Sequence, residues 1–228
     1  MSADTRAPAR IAIAIFVKTP GFSPIKTRLA ATIGQQAAED FHRLAAKAVA
    51  EVTTDARLAR MGATALWAVA ESDAMDAPAW RDMPRIAQGE GDLGVRMRRV
   101  YDTLRAEYGA ALLLGADAPQ IRVDDLVMAC TALIANDYVL GPSEDGGFWA
   151  FGGKIAAPDD AWLRTPWSQT DTRARFVATL HGDIAGLRPL RDVDAMDDLR
   201  ALRVALKTLP APTPSQSALV AWLDARDD

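Results

Sequence analysis

The segment IAIAIFVKTPGFSPIKTR, residues 11–28, joins an unbroken apolar run at 11–17 to a polar loop carrying Lys18, Lys26 and Arg28. A strand with one wet face alternates apolar and polar side chains. A run that is apolar at every position belongs to a strand covered on both faces, as in parallel sheets packed between helices. Outward from this segment, residues 35–53 place Phe41, Leu44, Ala45, Ala48, Val49 and Val52 at helical spacing, and residues 63–70 form a second buried strand. Residues 85–88 make a shorter third strand, 93–108 return to helical spacing through Met97, Val100, Tyr101 and Leu104, and 111–115 are the fourth strand. Residues 124–135 are helical, a strand starts at 138–140, the aromatic stretch 146–153 is strand or hairpin, and 171–181, 197–208 and 217–225 are helices. This alternation predicts an α/β fold, a mainly parallel sheet flanked by helices with right-handed crossovers. The Pro-rich stretch LPAPTPS at 209–215 sets off a terminal helix (215–226) from a core at 11–208, all within one domain.

The 228 residues are 50% apolar and 25% charged, enough for one good core and too ordinary for disorder or a disulfide miniprotein. Against 26 Lys and Arg stand 30 Asp and Glu, a net charge of -4 that argues against nucleic acid or an acidic membrane surface as partners. The single cysteine, Cys130, cannot pair internally and reads as a small core residue; the two histidines, His42 and His181, lack zinc spacing. No run approaches the ~18 apolar residues of a membrane span. The basic-then-apolar N-terminus lacks a small-residue cleavage site, so a frayed end and a cytoplasmic location are expected.

Ligands of open α/β sheets bind at the carboxyl ends of the strands, so the residues just after each strand carry the most information. The first loop offers three cations and two stiffening prolines, Pro20 and Pro24, which suits a phosphate; it is not a P-loop. GEGDLG at 89–94 satisfies GxGxxG and opens a helix. Glu90 and Asp92 would, however, face a pyrophosphate with carboxylates, which disfavours a dinucleotide oxidoreductase. Asp117, after the fourth strand, either caps a turn or holds Mg2+ or Mn2+ together with substrate phosphates. Glu144 and Asp145, in a Gly-rich turn before an aromatic strand, are turn formers or an acceptor-orienting base. In RDVDAMDDL, Asp192 and Asp194 precede a helix; Asp194 either caps it or joins a metal shell. Trp67 reads as packing, whereas Trp149 and Trp167 are divided between packing and lining a site.

Taken in order, VKTPGFSPIKTRLA, GEGDLGVRM, LLLGADAP, LGPSEDGGFWAFGG, PWSQTDT and RDVDAMDDL resemble the DUF2064 family. Its members are regarded as candidate GT-A-fold glycosyltransferases, related to nucleotide-diphospho-sugar transferases and to nucleotidyltransferases of the molybdenum-cofactor type. The resemblance implies one GT-A-like domain whose first half binds a nucleotide and whose second half shapes the acceptor site. It places Lys18, Lys26 and Arg28 on the nucleotide and phosphate loop, Asp92 near the nucleoside, and Asp117 and Asp194 on the metal. It also places Glu144 and Asp145 on the family's EDGG turn, where one of them would orient or deprotonate the acceptor, and Trp167, Asp171 and Thr172 on a loop that would form a lid; Trp149 is a further candidate for the acceptor wall. The sequence departs from the family pattern at Ala116 and Ala118, where a hydroxyl and a thiol are commonly found, and at Ser23, commonly glycine. The expectation is therefore a Mg2+- or Mn2+-dependent transferase using a nucleoside-diphosphate sugar and an unknown acceptor. Two alternatives stand beside it: a nucleotidyltransferase that releases pyrophosphate, and a nucleotide-binding protein without turnover.

Overall fold

In the computed structural model, which describes residues 10–226, Arg10–Val17 forms the central strand β1. Ile11, Ile13 and Ile15 pack on one face of it and Ala12 and Ala14 on the other, all buried, which is why the run is apolar throughout. The frayed end expected for residues 1–9 lies outside the described residues. The chain continues through α1 (Thr27–Ile33), α2 (Gln35–Thr53), α3 (Ala56–Arg60), β2 (Ala63–Val69), β3 (Arg85–Ala87), α4 (Leu93–Tyr108), β4 (Gly109–Gly115) and α5 (Val123–Ala135). It ends with β5 (Tyr138–Pro142), β6 (Phe148–Gly153), α6 (Asp159–Leu163), α7 (Thr172–Thr179), β7 (Ile184–Gly186), α8 (Met196–Lys207) and α9 (Pro214–Asp224).

The strands form one seven-stranded sheet in the order β3-β2-β1-β4-β6-β5-β7. Every pairing is parallel except the two made by β6, with β4 and with β5. One face of the sheet is covered by α2, α3 and α5, and the other by α4, α6 and α7. A third apolar cluster joins α1, α2, α8 and α9 through Leu29, Phe41, Leu202 and Leu219. On the α4 side, the small Ala12 and Ala14 leave room for an aromatic group. There Phe151 lies 4.8 Å, centroid to centroid, from Phe176 and 5.5 Å from both Tyr101 and Trp162. Trp67 is fully buried, its indole N–H donating to Asp82 at 2.8 Å, and Cys130 is buried with its thiol pushed up to about 11 by burial.

The sheet agrees with the sequence expectation, and the differences have local causes. Residues 27–33 form α1, which the sequence reading leaves within the loop; Gly34, at φ 86, ends it and turns the chain into α2. The last helix starts earlier than expected, at Pro214, because proline needs no N–H in a first turn and the Thr213 side chain accepts from Gln216 N. The short α3, α6 and β7 span too few residues to show a period.

Candidate active site

A cleft of about 670 Å³ opens at the carboxyl ends of β1 and β4. There the neighbours of β1 on either side, β2 and β4, are reached by connections running in opposite directions, the position where open α/β sheets bind ligands. After β1, Gly21 (φ 84) provides the turn of the loop, which ends on Lys26 in a left-handed conformation, φ 47 and ψ 48. That backbone costs a non-glycine residue on the order of 1 kcal/mol and persists where the surroundings over-determine it. Ser168, at φ 61, is the other such residue among the described residues, and both line the cleft.

The Lys26 side chain is only 6% exposed, and Nζ lies 2.8 Å from Asp117 Oδ2 and 3.0 Å from Asp194 Oδ1. It also donates to the Val193 carbonyl. The two acids converge because Val193 N donates to the Asp117 carbonyl at 3.1 Å, which pins the segment before α8 against the end of β4. Asp194 does not cap α8. Asp198 does, accepting from the backbone N–H groups of Asp194 and Ala195, and this leaves the Asp194 carboxylate for Lys26 and for Arg28, 2.6 Å away.

Burial works against charge on both Lys26 and Asp117, yet the ion pairing outweighs it. Lys26 is raised by Asp117 and Asp194, and Asp117 is held below the ordinary carboxylate range by Lys26. Asp192, which also lines the cleft and accepts from Ser143 Oγ at 2.9 Å, is pushed up to about 7 by burial and by the charge of Asp117. His42, from α2, holds the loop from below: its Nε2 is 2.9 Å from the Lys18 carbonyl, so that nitrogen carries the proton. Its Nδ1 is buried with no partner among the described residues, and burial lowers the imidazole's proton affinity.

The structure thus brings Lys18, Lys26, Arg28, Asp117 and Asp194 into one cleft. Trp149 borders it, but its indole N–H is taken by the Arg188 carbonyl at 3.0 Å. The remaining sequence-predicted residues fall outside the lining. Asp92 caps α4 by accepting from Val95 N at 2.9 Å, and the following Leu93, Arg96 and Met97 face the cleft instead. Glu144 is exposed, 4.0 Å from Arg191, and Asp145 accepts from Gly147 N within its own turn. Trp167 donates to the Trp162 carbonyl at 3.0 Å and packs on Phe176, while Asp171 pairs with Arg175 at 2.6 Å. Thr172 is buried, donating to the Pro166 carbonyl and accepting from Gln169 N, so the 166–172 loop is fastened with Ser168 toward the cleft. His42, Gln88 and Arg96, which the sequence reading did not select, also line the cleft; the signal for His42 was its place on the apolar face of α2 beside Phe41 and Ala45.

Two carboxylates that reach one point suit a hard dication whose remaining positions are filled by phosphate oxygens. Among the described residues no group of three or more His, Cys, Asp or Glu forms a cage. Asp117 and Asp194 therefore fit Mg2+ or Mn2+ only as a pair completed by a ligand, at the point where Lys26 Nζ now lies.

A model of the family described as "Uncharacterized protein conserved in bacteria (DUF2064)" matches residues 44–169, more than half of the chain. The chain belongs to this family. The family match includes Asp117 but not the 18–28 loop or Asp194. A candidate nucleotide-diphospho-sugar transferase from Desulfovibrio desulfuricans G20 is 26% identical, with a TM-score of 0.82 over 94% of this chain and 95% of its own. A CMP:2-keto-3-deoxy-manno-octonic acid synthetase solved with CTP is 12% identical, TM-score 0.54, over 87% and 98%. Rv0371C of Mycobacterium tuberculosis H37Rv, solved with manganese, is 14% identical, TM-score 0.50, over 88% and 100%. For these last two the likeness is one of fold. No curated protein matches the sequence. Among the described residues no helix is long and apolar enough to cross a membrane.

Proposed function

We propose that this family member is a nucleotide-utilising transferase that moves a sugar from a nucleoside-diphosphate donor to an acceptor. The observation that carries the reading is the convergence of Lys18, Lys26 and Arg28 with Asp117 and Asp194 in one cleft at the switch point of the sheet. Mg2+ or Mn2+, held by Asp117 and Asp194, would supply positive charge to the departing diphosphate. Lys18, Lys26 and Arg28 bind the same phosphates, and His42 keeps the loop in place through the Lys18 carbonyl. Phe148, Ser168 and Asp192 line the cleft where an acceptor would enter, and Asp192 takes the part the sequence suggested for Glu144 or Asp145.

The D. desulfuricans G20 likeness supports the sugar-transfer reading, and the fold shared with the CTP-bound synthetase supports a second, nucleotidyl transfer to a phosphorylated acceptor. Incubation with nucleotide sugars, and separately with nucleoside triphosphates plus phosphorylated acceptors, separates them. Release of nucleoside diphosphate identifies sugar transfer, pyrophosphate identifies nucleotidyl transfer, and binding with neither product leaves a nucleotide-binding protein. In calorimetry, Asp117→Asn is expected to lose metal-dependent nucleotide binding at least about tenfold; unchanged binding refutes the role of Asp117.

A further inference from the structure

Lys26 does more in this cleft than wait for a phosphate. An ammonium has three N–H bonds, and all three are committed, to Asp117, to Asp194 and to the Val193 carbonyl. Asp194 is paired from the other side as well, with one oxygen on Lys26 and the other on Arg28. The two carboxylates and two cations sum to zero charge. A dication arriving alone meets carboxylates already neutralised, and to enter it must push a nearly buried ammonium off its partners with no anion offered in exchange. A diphosphate arriving alone finds no free proton on Lys26. A metal and a diphosphate arriving together offer a complete exchange: the carboxylates trade ammonium for metal, and the ammonium trades carboxylate for phosphate.

We propose that Lys26 is a resident counter-cation that holds the Asp117–Asp194 pair closed to metal until a diphosphate accepts it, so that metal and diphosphate load together and each loads poorly alone. The inference rests on the nucleotide reading above for its biological ligand, but not for the exchange itself. The left-handed backbone at Lys26 fits this role, because it marks a residue whose position is imposed by its surroundings. By linkage, whatever the diphosphate gains from bound metal, the metal gains from bound diphosphate.

The test uses Mn2+ and inorganic pyrophosphate as probes on the full chain. With Mn2+ alone, followed by electron paramagnetic resonance of the free ion, Lys26→Met is expected to bind at least about tenfold more tightly than wild type, since an adjacent full charge changes a carboxylate's cation affinity by at least that factor. The same variant is expected to bind magnesium pyrophosphate more weakly, the opposite direction. Mn2+ affinity that is unchanged or reduced in Lys26→Met overturns the proposal. Should the variant misfold, the wild-type protein gives the answer through the ¹⁵N resonance of the Lys26 ammonium. Mg2+ alone and pyrophosphate alone are expected to leave it in place and the two together to move it; a shift with Mg2+ alone overturns the exchange. Failure of wild type to bind any nucleotide or nucleotide sugar would overturn the functional reading, while the Mn2+ comparison would still decide the exchange.

Discussion

Gly94→Ala sets two effects of opposite sign against each other. Gly94 is the second residue of α4, and replacing glycine by alanine inside a helix ordinarily stabilises by about 1 kcal/mol. Here a Cβ would fall well inside contact distance of the Trp162 carbonyl oxygen and of Trp167 Nε1, and 3.1 Å from the Trp162 carbonyl carbon. The obstacle is backbone, so α4 and α6 must separate by roughly 1 Å to restore ordinary contact. Trp162 cannot yield cheaply, because it is fully buried between Tyr101, Phe151 and Phe176. Overpacking of this kind costs about 1–3 kcal/mol, and losing the Trp167–Trp162 hydrogen bond costs about 1 kcal/mol more. Subtracting the helix gain leaves a net destabilisation of about 2 kcal/mol, equivalent to a fall in melting temperature of about 4–8 °C. Urea denaturation should show a lower midpoint at an unchanged slope. Since Leu93, Arg96 and Met97 carry the first turns of α4 into the cleft, ligand binding should weaken in parallel. A variant as stable as wild type, or more stable, would refute the claim that the α4–α6 approach is fixed by backbone contact.

Asp125, 2% exposed, receives Arg188 Nε at 2.6 Å and Nη2 at 2.7 Å, and also the Arg122 backbone N–H. Allowing for the partial exposure of Arg188, Asp125→Ala should cost about 2 kcal/mol in equilibrium unfolding. Burial would raise this carboxyl, but Arg188 and Arg122 hold it below the ordinary range. The stability it contributes is therefore present above about pH 4 and lost only as pH falls further. A wild-type-minus-variant difference that vanishes already at pH 6 would contradict this. Thr172→Val removes the acceptor for Gln169 N and the donor to Pro166 O, and should lose about 1–3 kcal/mol while loosening the loop that presents Ser168; limited proteolysis should cut at 166–171 first. Cys130, buried and with its thiol raised to about 11, should resist thiol reagents at pH 8 until the chain unfolds globally, so fast labelling of native protein would show that α5 opens locally.

The fold was legible where burial is two-sided and long. β1, β2 and β4 announce themselves through runs such as 11–17, and α4 matches its expected bounds because Asp92 caps its start and Gly109 stops it. Elements of a few residues, such as α3 and β7, carry too little pattern to read. The charged half of the site was legible for a topological reason: cations and acids placed just after β1 and β4 must emerge at the ligand edge. Position along the chain does not say where a side chain goes. Glu144 and Asp145 reach the right edge of the sheet and are spent on Arg191 and on the turn, whereas Asp192, to which the sequence reading gave no role of its own, lines the cleft together with Asp194. His42 escaped because its place on the apolar face of α2 signals burial and does not separate packing in the core from facing a cleft.

The reversed strand β6 has a consequence for how this scaffold can change. Since β6 runs against β4, pairing Leu114 with Ala150 and Ala111 with Gly153, it is the beginning of β6 that meets the cleft. The hairpin at 143–147 sits at the rim, and the chain leaves β6 at the far side of the molecule. Residues that set the rim and residues that connect to α6 are thereby separated by the width of the sheet. A longer or shorter hairpin at 143–147 would remodel the entrance without lengthening any crossover, whereas 154–158 is fastened to the core through the Ile155 and Ala156 carbonyls, which accept from Tyr101 and Tyr138. One inverted strand thus puts the turn that shapes the entrance and the connection to α6 on opposite edges of the sheet.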